Sequence, residues 1–340
     1  MQFKAFIPIL SPIIILEDEV KEKQFITGTF DKMIKELQDE KSYPFYIKGK
    51  MIEAKLEIKE ETKEILQAKH NIKNTFRINY CLSIIIDLDI EEYKEELERH
   101  LIKENYTTEE IIEIRISDLV SEFEKSINDF RIAMNIAFPG FFEIQSGYIT
   151  VDNVKYKETQ SSISCLKEAF LEARKRKWPQ IDILNIRKTW KWLLDREDFI
   201  DAMGNKPIER ALSSFTYIFN SENYEDLFYS LIGIEAIYTK GKQGILEQLR
   251  EKSASVFGEP ENYKNTLNKM YDIRSKFIHG SLNFPSKYYI YDGIAQFDKF
   301  TLEDYSQCLE MAEALLVATI QQFVIKNKET LKYNLEAKFE

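Results

Sequence analysis

The chain has 340 residues, of which 44% are hydrophobic, and its formal net charge is -10. This length predicts two domains with ordinary hydrophobic cores. The acidic charge excludes a protein that coats nucleic acid without sequence preference, because that function needs many lysines and arginines on one surface.

The cysteine and apolar patterns predict a cytoplasmic protein with no membrane partner. Three cysteines, Cys81, Cys165 and Cys308, lie far apart, which is typical of a reducing compartment and predicts neither disulfides nor a zinc cluster. No apolar run approaches the roughly 20 residues that a bilayer span requires. The apolar start at residues 6–16 lacks the flanks of a signal peptide and predicts a strand. We expect no metal and no cofactor.

The first half, residues 1–160, mixes two periodicities and predicts an α+β domain. Its role is left open by the sequence, with sensing and targeting as the candidates. Ala54, Leu56 and Ile58 alternate with charged residues, which indicates a half-exposed strand. Further strands are predicted at residues 80–88, 148–151 and 154–156, and helices at residues 30–37, 93–102 and 119–134. The Asp152-Asn153 pair predicts a tight turn between the last two strands.

The second half, residues 165–340, predicts an all-α domain. The boundary is placed in the polar, serine-rich stretch at residues 159–164. Helical spacing is found at residues 181–195, 207–219, 224–238, 245–257, 262–279 and 302–325, with glycine and proline between the helices. An up-and-down helical bundle buries all of these apolar stripes.

Two opposite charges fall on apolar stripes of this half. Arg274 lies among Tyr263, Leu267, Met270, Tyr271, Phe277 and Ile278, and Glu235 lies in line with Tyr224, Phe228, Leu231 and Tyr238. An unpaired buried charge is costly, so each side chain needs a partner. The two residues either form an ion pair that fixes the register of two helices or belong to a functional site, and both interpretations stay open.

His279 and Gly280 close the helix that carries Arg274. Gly280 is placed as the glycine that ends a helix, and His279 on its own is typical of a surface residue in a last helical turn. Five residues separate Arg274 from His279 by about 140° and roughly 7.5 Å along one helix. One straight helix therefore does not aim both side chains at one spot, so either the helix breaks at Gly280 or a second chain completes the site.

Residues 271–280, YDIRSKFIHG, resemble the closing helix of the HEPN superfamily, in particular the ApeA-like HEPN domains of bacterial defence proteins. Residues 231–238, LIGIEAIY, are similar to the glutamate-containing second helix of that family. The resemblance covers about residues 180–325 and leaves the first half unexplained.

The resemblance implies a homodimeric helical domain that cleaves RNA without metal, in a defence, abortive-infection or toxin system. His279 would transfer a proton as the ribose 2′-hydroxyl attacks the phosphate, and Arg274 would stabilise the phosphate charge. Glu235 would support Arg274. Ser275 departs from the asparagine, aspartate or histidine that active members often carry, and it cannot act as a base. It can still donate or accept a hydrogen bond, so Ser275 is a supporting site candidate. The alternative is a noncatalytic module that binds RNA or protein. The first half would gate or target cleavage, which includes the response to an activator.

Two further stretches are candidates for RNA contact. Arg174, Lys175, Arg176, Lys177 and Trp178 form the densest basic run and end in an aromatic ring, a composition that suits phosphate contact and base stacking; a solvated helix face is the alternative. Aromatic residues crowd the loop after Gly280, where they either pack the loop down or stack on a base. These are Phe284, Tyr288, Tyr289, Tyr291 and Phe297.

Overall fold

The chain divides into two compact units, Met1–Ser162 and Ile163–Glu340. The computed structural model describes residues 1–13, 20–70, 77–93, 106–162, 164–196, 204–219, 225–241, 244–259, 264–281 and 299–333. The division lies within the serine-rich stretch of the sequence. Within the described ranges, the strands belong to the first unit and the second unit is helical.

The first unit is built on a seven-stranded antiparallel sheet. Its strands are β1 (Gln2–Leu10), β2 (Ser42–Ile47), β3 (Lys50–Glu60), β4 (Ile78–Asp87), β5 (Glu143–Ile144), β6 (Tyr148–Val151) and β7 (Val154–Glu158). They follow the order β2-β3-β4-β1-β6-β7, and β5 also pairs with β1. The central β1 is buried on both faces.

In the described part of the first unit, three helices and a 3-10 turn accompany the sheet. They are α1 (Val20–Asp39), α2 (Lys63–His70), the turn Ile90–Tyr93, and α3 (Thr108–Ala137). Thr107 begins α3 with a capping box to Glu110. Phe130 of α3 packs its ring against Tyr43 and Phe45 of β2, with ring centroids 5.2 and 5.6 Å apart. Aromatic packing of this kind forms the core between α3 and the sheet.

The α+β character predicted for the first half is confirmed, with several corrections. Ala54 and Leu56 are buried while their neighbours are more exposed, as the alternation predicts. Asp152 and Asn153 have φ of 46° and 69°, which is the turn expected between β6 and β7. The first strand is Gln2–Leu10 rather than residues 6–16. β2 and α2 were not predicted. The helix predicted at residues 93–102 lies outside the described residues beyond Tyr93.

The second unit contains seven helices in the described ranges. These are α4 (Leu166–Arg176), α5 (Ile186–Leu194), α6 (Pro207–Tyr217), α7 (Glu225–Tyr238), α8 (Ile245–Phe257), α9 (Lys264–Ile278) and α10 (Lys299–Lys326). α10 packs against α4, α6, α7 and α9. The helical character predicted for this half is therefore confirmed. α4 was not predicted, and α5 begins five residues later than expected because Asn185 caps it by accepting the Lys188 N–H at 2.9 Å.

The segment Tyr305–Lys326 of α10 is long and apolar enough to cross a membrane, with 78% of its most apolar window buried inside the protein. The prediction that no segment approaches this length is corrected here. The buried core helix of a globular unit meets the same criterion, so this helix alone is weak support for a membrane span.

Candidate functional site

Arg274 of α9 and Glu235 of α7 contact each other through both carboxylate oxygens. Arg274 Nε lies 3.1 Å from Oε1, and Nη2 donates to Oε2 at 3.2 Å. The side chains are 30% and 16% exposed. The two charges on the apolar stripes therefore pair with each other, and the planar guanidinium of Arg274 fixes their relative orientation.

The stripe of α9 is only partly buried. Leu267 and Met270 are fully buried as predicted, whereas Ile278 is 56% exposed. The prediction for Ile278 is wrong because a stripe position faces the core only where a neighbouring element reaches it, and Ile278 is the last helical residue. The predicted stripe members Tyr224 and Tyr263 lie outside the described residues.

An exposed apolar surface lies beside the ion pair. The rings of Phe228 on α7 and Phe277 on α9 stack with centroids 3.9 Å apart. Ile232, one turn after Phe228, is 54% exposed, and Ile278 follows Phe277. We call Phe228, Ile232, Phe277 and Ile278 the apolar rim.

Tyr271 places a hydroxyl beneath the ion pair. Burial, and then the negative charge and proximity of Glu235, raise the pKa of Tyr271, while the Arg274 charge acts in the opposite direction. The hydroxyl is buried, and it makes no hydrogen bond of ordinary length and angle among the described residues. Tyr271 therefore stays protonated and presents a neutral O–H close to Glu235.

The end of α9 positions His279 at the surface. Gly280 has φ of +67°, its N–H donates to Phe277 O at 3.0 Å, and the Ser281 N–H donates to Lys276 O at 2.8 Å. This pair of bonds is the Schellman motif, so the prediction that Gly280 ends the helix is confirmed. The side chains of Ser275 and His279 are exposed, whereas Arg274 is turned to Glu235.

The basic run forms the last turn of α4 and its C-cap. Lys175 contacts Glu172 at 3.0 Å, and Arg176 lies between Glu172 and Glu310 at 3.4 and 3.7 Å. Trp178 is 5% exposed and donates to Gly258 O at 3.0 Å. Trp178 is thus a core residue, and the stacking role predicted for it is wrong. Arg174 and Lys177 are exposed.

The aromatic loop at residues 282–298 lies outside the described residues, so its predicted role is neither supported nor contradicted. Within the described ranges, no group of three or more His, Cys, Asp or Glu side chains is arranged to hold a metal ion. The chain matches no model of a known protein family, no curated protein and no solved structure.

The sequence analysis did not identify the acids that are buried, and among them Asp226 and Glu313 have no hydrogen-bond partner for at least one buried oxygen within the described residues. Asp226 on α7 and Glu313 on α10 are 1% and 0% exposed. A signal existed for Glu313, because it is a single acid inside the apolar run at residues 311–320. An acid in such a run has no exposed face to occupy when the whole helix is enclosed.

Proposed function

We propose that the second unit is a HEPN-like domain whose Arg274 and His279 form a metal-independent RNA-cleaving site that a second copy of the chain completes. The observation that carries the proposal is the placement of a forked arginine, an exposed histidine and an exposed apolar rim at one end of α9. Each of the three features is needed for cleavage at an interface between two copies.

The chemistry assigned to the two residues follows from their side chains. The imidazole of His279 would accept the proton of the ribose 2′-hydroxyl or deliver one to the leaving oxygen. The guanidinium stabilises the charge that gathers on the phosphate oxygens. Arginine has five N–H donors, so a guanidinium that contacts Glu235 through two nitrogens retains donors for a phosphate. The products would end in a 2′,3′-cyclic phosphate.

Arg274 and His279 point in different directions from one helix, and a second copy of the chain would supply the group that is missing from each site. α9 continues through Arg274 without a break and ends just before His279, so the separation of about 140° for five helical residues applies. One α9 does not bring both groups to one phosphate. Burial of the apolar rim would stabilise association, because each exposed isoleucine removes apolar surface from water when it is covered.

The proposal includes a cytoplasmic, dimeric endoribonuclease of a bacterial defence, abortive-infection or toxin system, with the first unit gating or targeting cleavage in response to an activator. This part rests on the resemblance of residues 231–238 and 271–280 to HEPN helices. RNA and a second copy of the chain are the partners.

The test is incubation of the purified chain with excess RNA in EDTA. We expect cleavage by the wild type, loss of at least about a hundredfold in rate for His279→Ala because general acid-base catalysis contributes that much, and a similar loss for Arg274→Ala. Asn268→Ala changes an exposed residue of the same helix and should cleave like the wild type. Equal cleavage by His279→Ala would overturn the assignment.

A latent enzyme is tested in cells. If cleavage depends on an activator, expression of the wild type should arrest growth when the activator is present, and Arg274→Ala should abolish the arrest. The new RNA ends are then examined for cyclic phosphate. Ends with a 3′-hydroxyl contradict attack by the 2′-hydroxyl.

A noncatalytic module that binds RNA or protein is the second candidate. It is favoured by Ser275, which provides no base beside Arg274, and by the engagement of both Glu235 oxygens with Arg274. Turnover separates the two functions. Stoichiometric binding of RNA with no cleavage under any activating condition supports the module, and multiple turnovers per chain exclude it.

A further inference from the structure

The interface between α7 and α10 encloses two carboxyl groups, Asp226 and Glu313, that have buried oxygens with no partner among the described residues. Both oxygens of Glu313 and Oδ1 of Asp226 are buried and make no hydrogen bond within the described part of the chain. Ser230 lies one turn after Asp226 on α7, and its buried Oγ also lacks a partner there. Buried oxygens in this condition are costly, and an ionised carboxylate in their place is more costly still.

Glu209 shows that a buried carboxyl group does not have to lack hydrogen-bond partners. It is also fully buried, but its carboxylate accepts the N–H groups of Asn205 and Lys206 at 2.9 Å each. Burial acts to raise the pKa of Glu209, yet these hydrogen bonds and the Lys206 ammonium hold it below its ordinary value. Asp226 and Glu313 differ because no donor or cation of this kind meets them among the described residues.

The described charged groups that act on the two acids are themselves acids. Glu313 faces Asp226 from α7, Glu168 from α4 and Glu310 from its own helix, and Asp226 has Glu225 as its neighbour. Burial first, and then these charges, raise the pKa of Asp226 to about 8 and that of Glu313 well above its ordinary value.

Glu310 is the outer member of this group. Burial and the Glu172 charge raise its pKa to about 7, while Arg176 and Lys175 of α4 act in the opposite direction. The nearest cations of α4 thus act on Glu310, and they are absent from the charged groups that act on Glu313. The described charged groups therefore offer Asp226 and Glu313 no compensating positive charge.

α7 and α10 also pack closely further along the same interface, beyond the position of Asp226 on α7. A methyl group added at Gly233 of α7 would lie 2.8 Å from Leu316 Cδ1 of α10, and the hydroxyls of Tyr238 and Thr319 meet at 2.8 Å. Ionised carboxylates need water or cations around them. Hydration of ionised carboxylates at this interface would oppose the close packing of α7 and α10.

We propose that Asp226 and Glu313 form a protonated carboxyl latch: α7 packs against α10 while both groups are neutral, and the two helices separate when the groups release their protons to solvent. α7 also carries Glu235, so opening of the latch changes the position of the residue that holds Arg274. The latch does not depend on the proposed ribonuclease function, because it follows from burial and packing alone.

The direction of the pH dependence follows from linkage. In the unfolded chain these acids ionise near pH 4. In the folded unit the pKa of Asp226 is raised to about 8, and burial and the neighbouring acids raise the pKa of Glu313 well above its ordinary value. Folding at neutral pH therefore takes up protons, and stability falls as the pH rises from about 4. For each group the unfolding equilibrium constant grows up to about tenfold per pH unit in this window.

The first test is urea unfolding of the full chain from pH 5 to pH 8, followed by far-UV circular dichroism. Asp226→Asn and Glu313→Gln keep the side-chain shape and remove the ionisation. In each variant the unfolding equilibrium constant should therefore rise less steeply with pH, by up to about tenfold per pH unit, than in the wild type. Glu251→Gln changes an exposed acid on α8 and should retain the wild-type slope. Equal slopes in all four proteins overturn the latch.

Infrared spectroscopy gives a measurement that does not depend on the variants. The wild type at pH 8 should show the carbonyl absorption of a protonated carboxyl, shifted in heavy water, and the band should disappear together with helical structure at higher pH. Absence of that band from the folded wild type at pH 8 overturns the proposal, even if the single variants fail to fold.

Discussion

At the scale of single residues, the pairing of Arg274 with Glu235 explains why both charges lie on apolar stripes. Each side chain is partly buried, so each alone would lose hydration without compensation. The contact supplies one hydrogen bond, from Nη2 to Oε2, and brings the opposite charges together again at Nε and Oε1. An exposed pair gains little because water screens it, whereas a partly buried one strongly penalises loss of a single partner.

A double-mutant cycle should show this coupling. We expect Arg274→Ala and Glu235→Ala each to lower the free energy of unfolding by about 1–2 kcal/mol, with a coupling of about 1 kcal/mol. The matched control is the Lys276–Asp272 pair on the same helix, whose side chains are 51% and 59% exposed, with an expected coupling of a few tenths of a kcal/mol. A coupling no larger than that of the control contradicts the structure at this point.

At the scale of elements, the end of α9 is determined by backbone geometry. Gly280 adopts a left-handed conformation with φ of +67°, which side chains with a Cβ disfavour. The two Schellman hydrogen bonds depend on that conformation. Consequently the position of His279 at the surface depends on a residue with no side chain of its own.

Gly280→Ala should therefore destabilise the second unit by about 1 kcal/mol, measured by urea unfolding. Gly28→Ala is the opposite control: Gly28 lies inside α1 with no atom within 4 Å of an added methyl group, so the change should stabilise the first unit by about 0.5–1 kcal/mol. If Gly280→Ala is as stable as the wild type, the left-handed cap is absent in solution.

Elements with a clear period or a strong breaker were predictable from the sequence, and others were not. α8 has the predicted bounds Ile245–Phe257 because glycine flanks it on both sides. β2 was missed because Tyr43, Phe45 and Ile47 alternate with Pro44 and Tyr46, so the exposed face of the strand is not marked by charge. α4 was missed because its buried face includes the small residues Ala169 and Ala173, which contrast weakly with their neighbours.

The candidate site was predictable where a residue type conflicted with its position. The contact between Arg274 and Glu235 follows from two charges on two apolar stripes, and the structure pairs them. The burial of Trp178 depends on Gly258 and Phe257, more than 70 residues away. No local pattern encodes such a contact. Exposure of Ile278 likewise depends on how far neighbouring helices extend.

At the scale of the whole molecule, each unit has a core of its own. The first is centred on β1 with buried Phe3, Ala5 and Ile9, and the second on α10 with buried Leu315 and Leu316. A unit with its own core can fold alone. We therefore expect residues 1–162 and 163–340, expressed separately, each to unfold cooperatively in urea, the first with mixed and the second with helical circular dichroism.

Separate folding allows the proposed gating role to be measured. If the first unit restrains cleavage until an activator acts, the isolated second unit should cleave RNA in EDTA faster than the full chain without activator, and its expression should arrest growth more strongly. His279→Ala in the isolated unit is the control, because it removes the proposed proton-transfer group and leaves the fold cap at Gly280 in place. Equal or lower activity of the isolated, folded unit excludes inhibition by the first unit.

Targeting is then the remaining role for the sheet, and it is tested by whether the full chain cleaves a narrower set of RNA sequences than residues 163–340 alone.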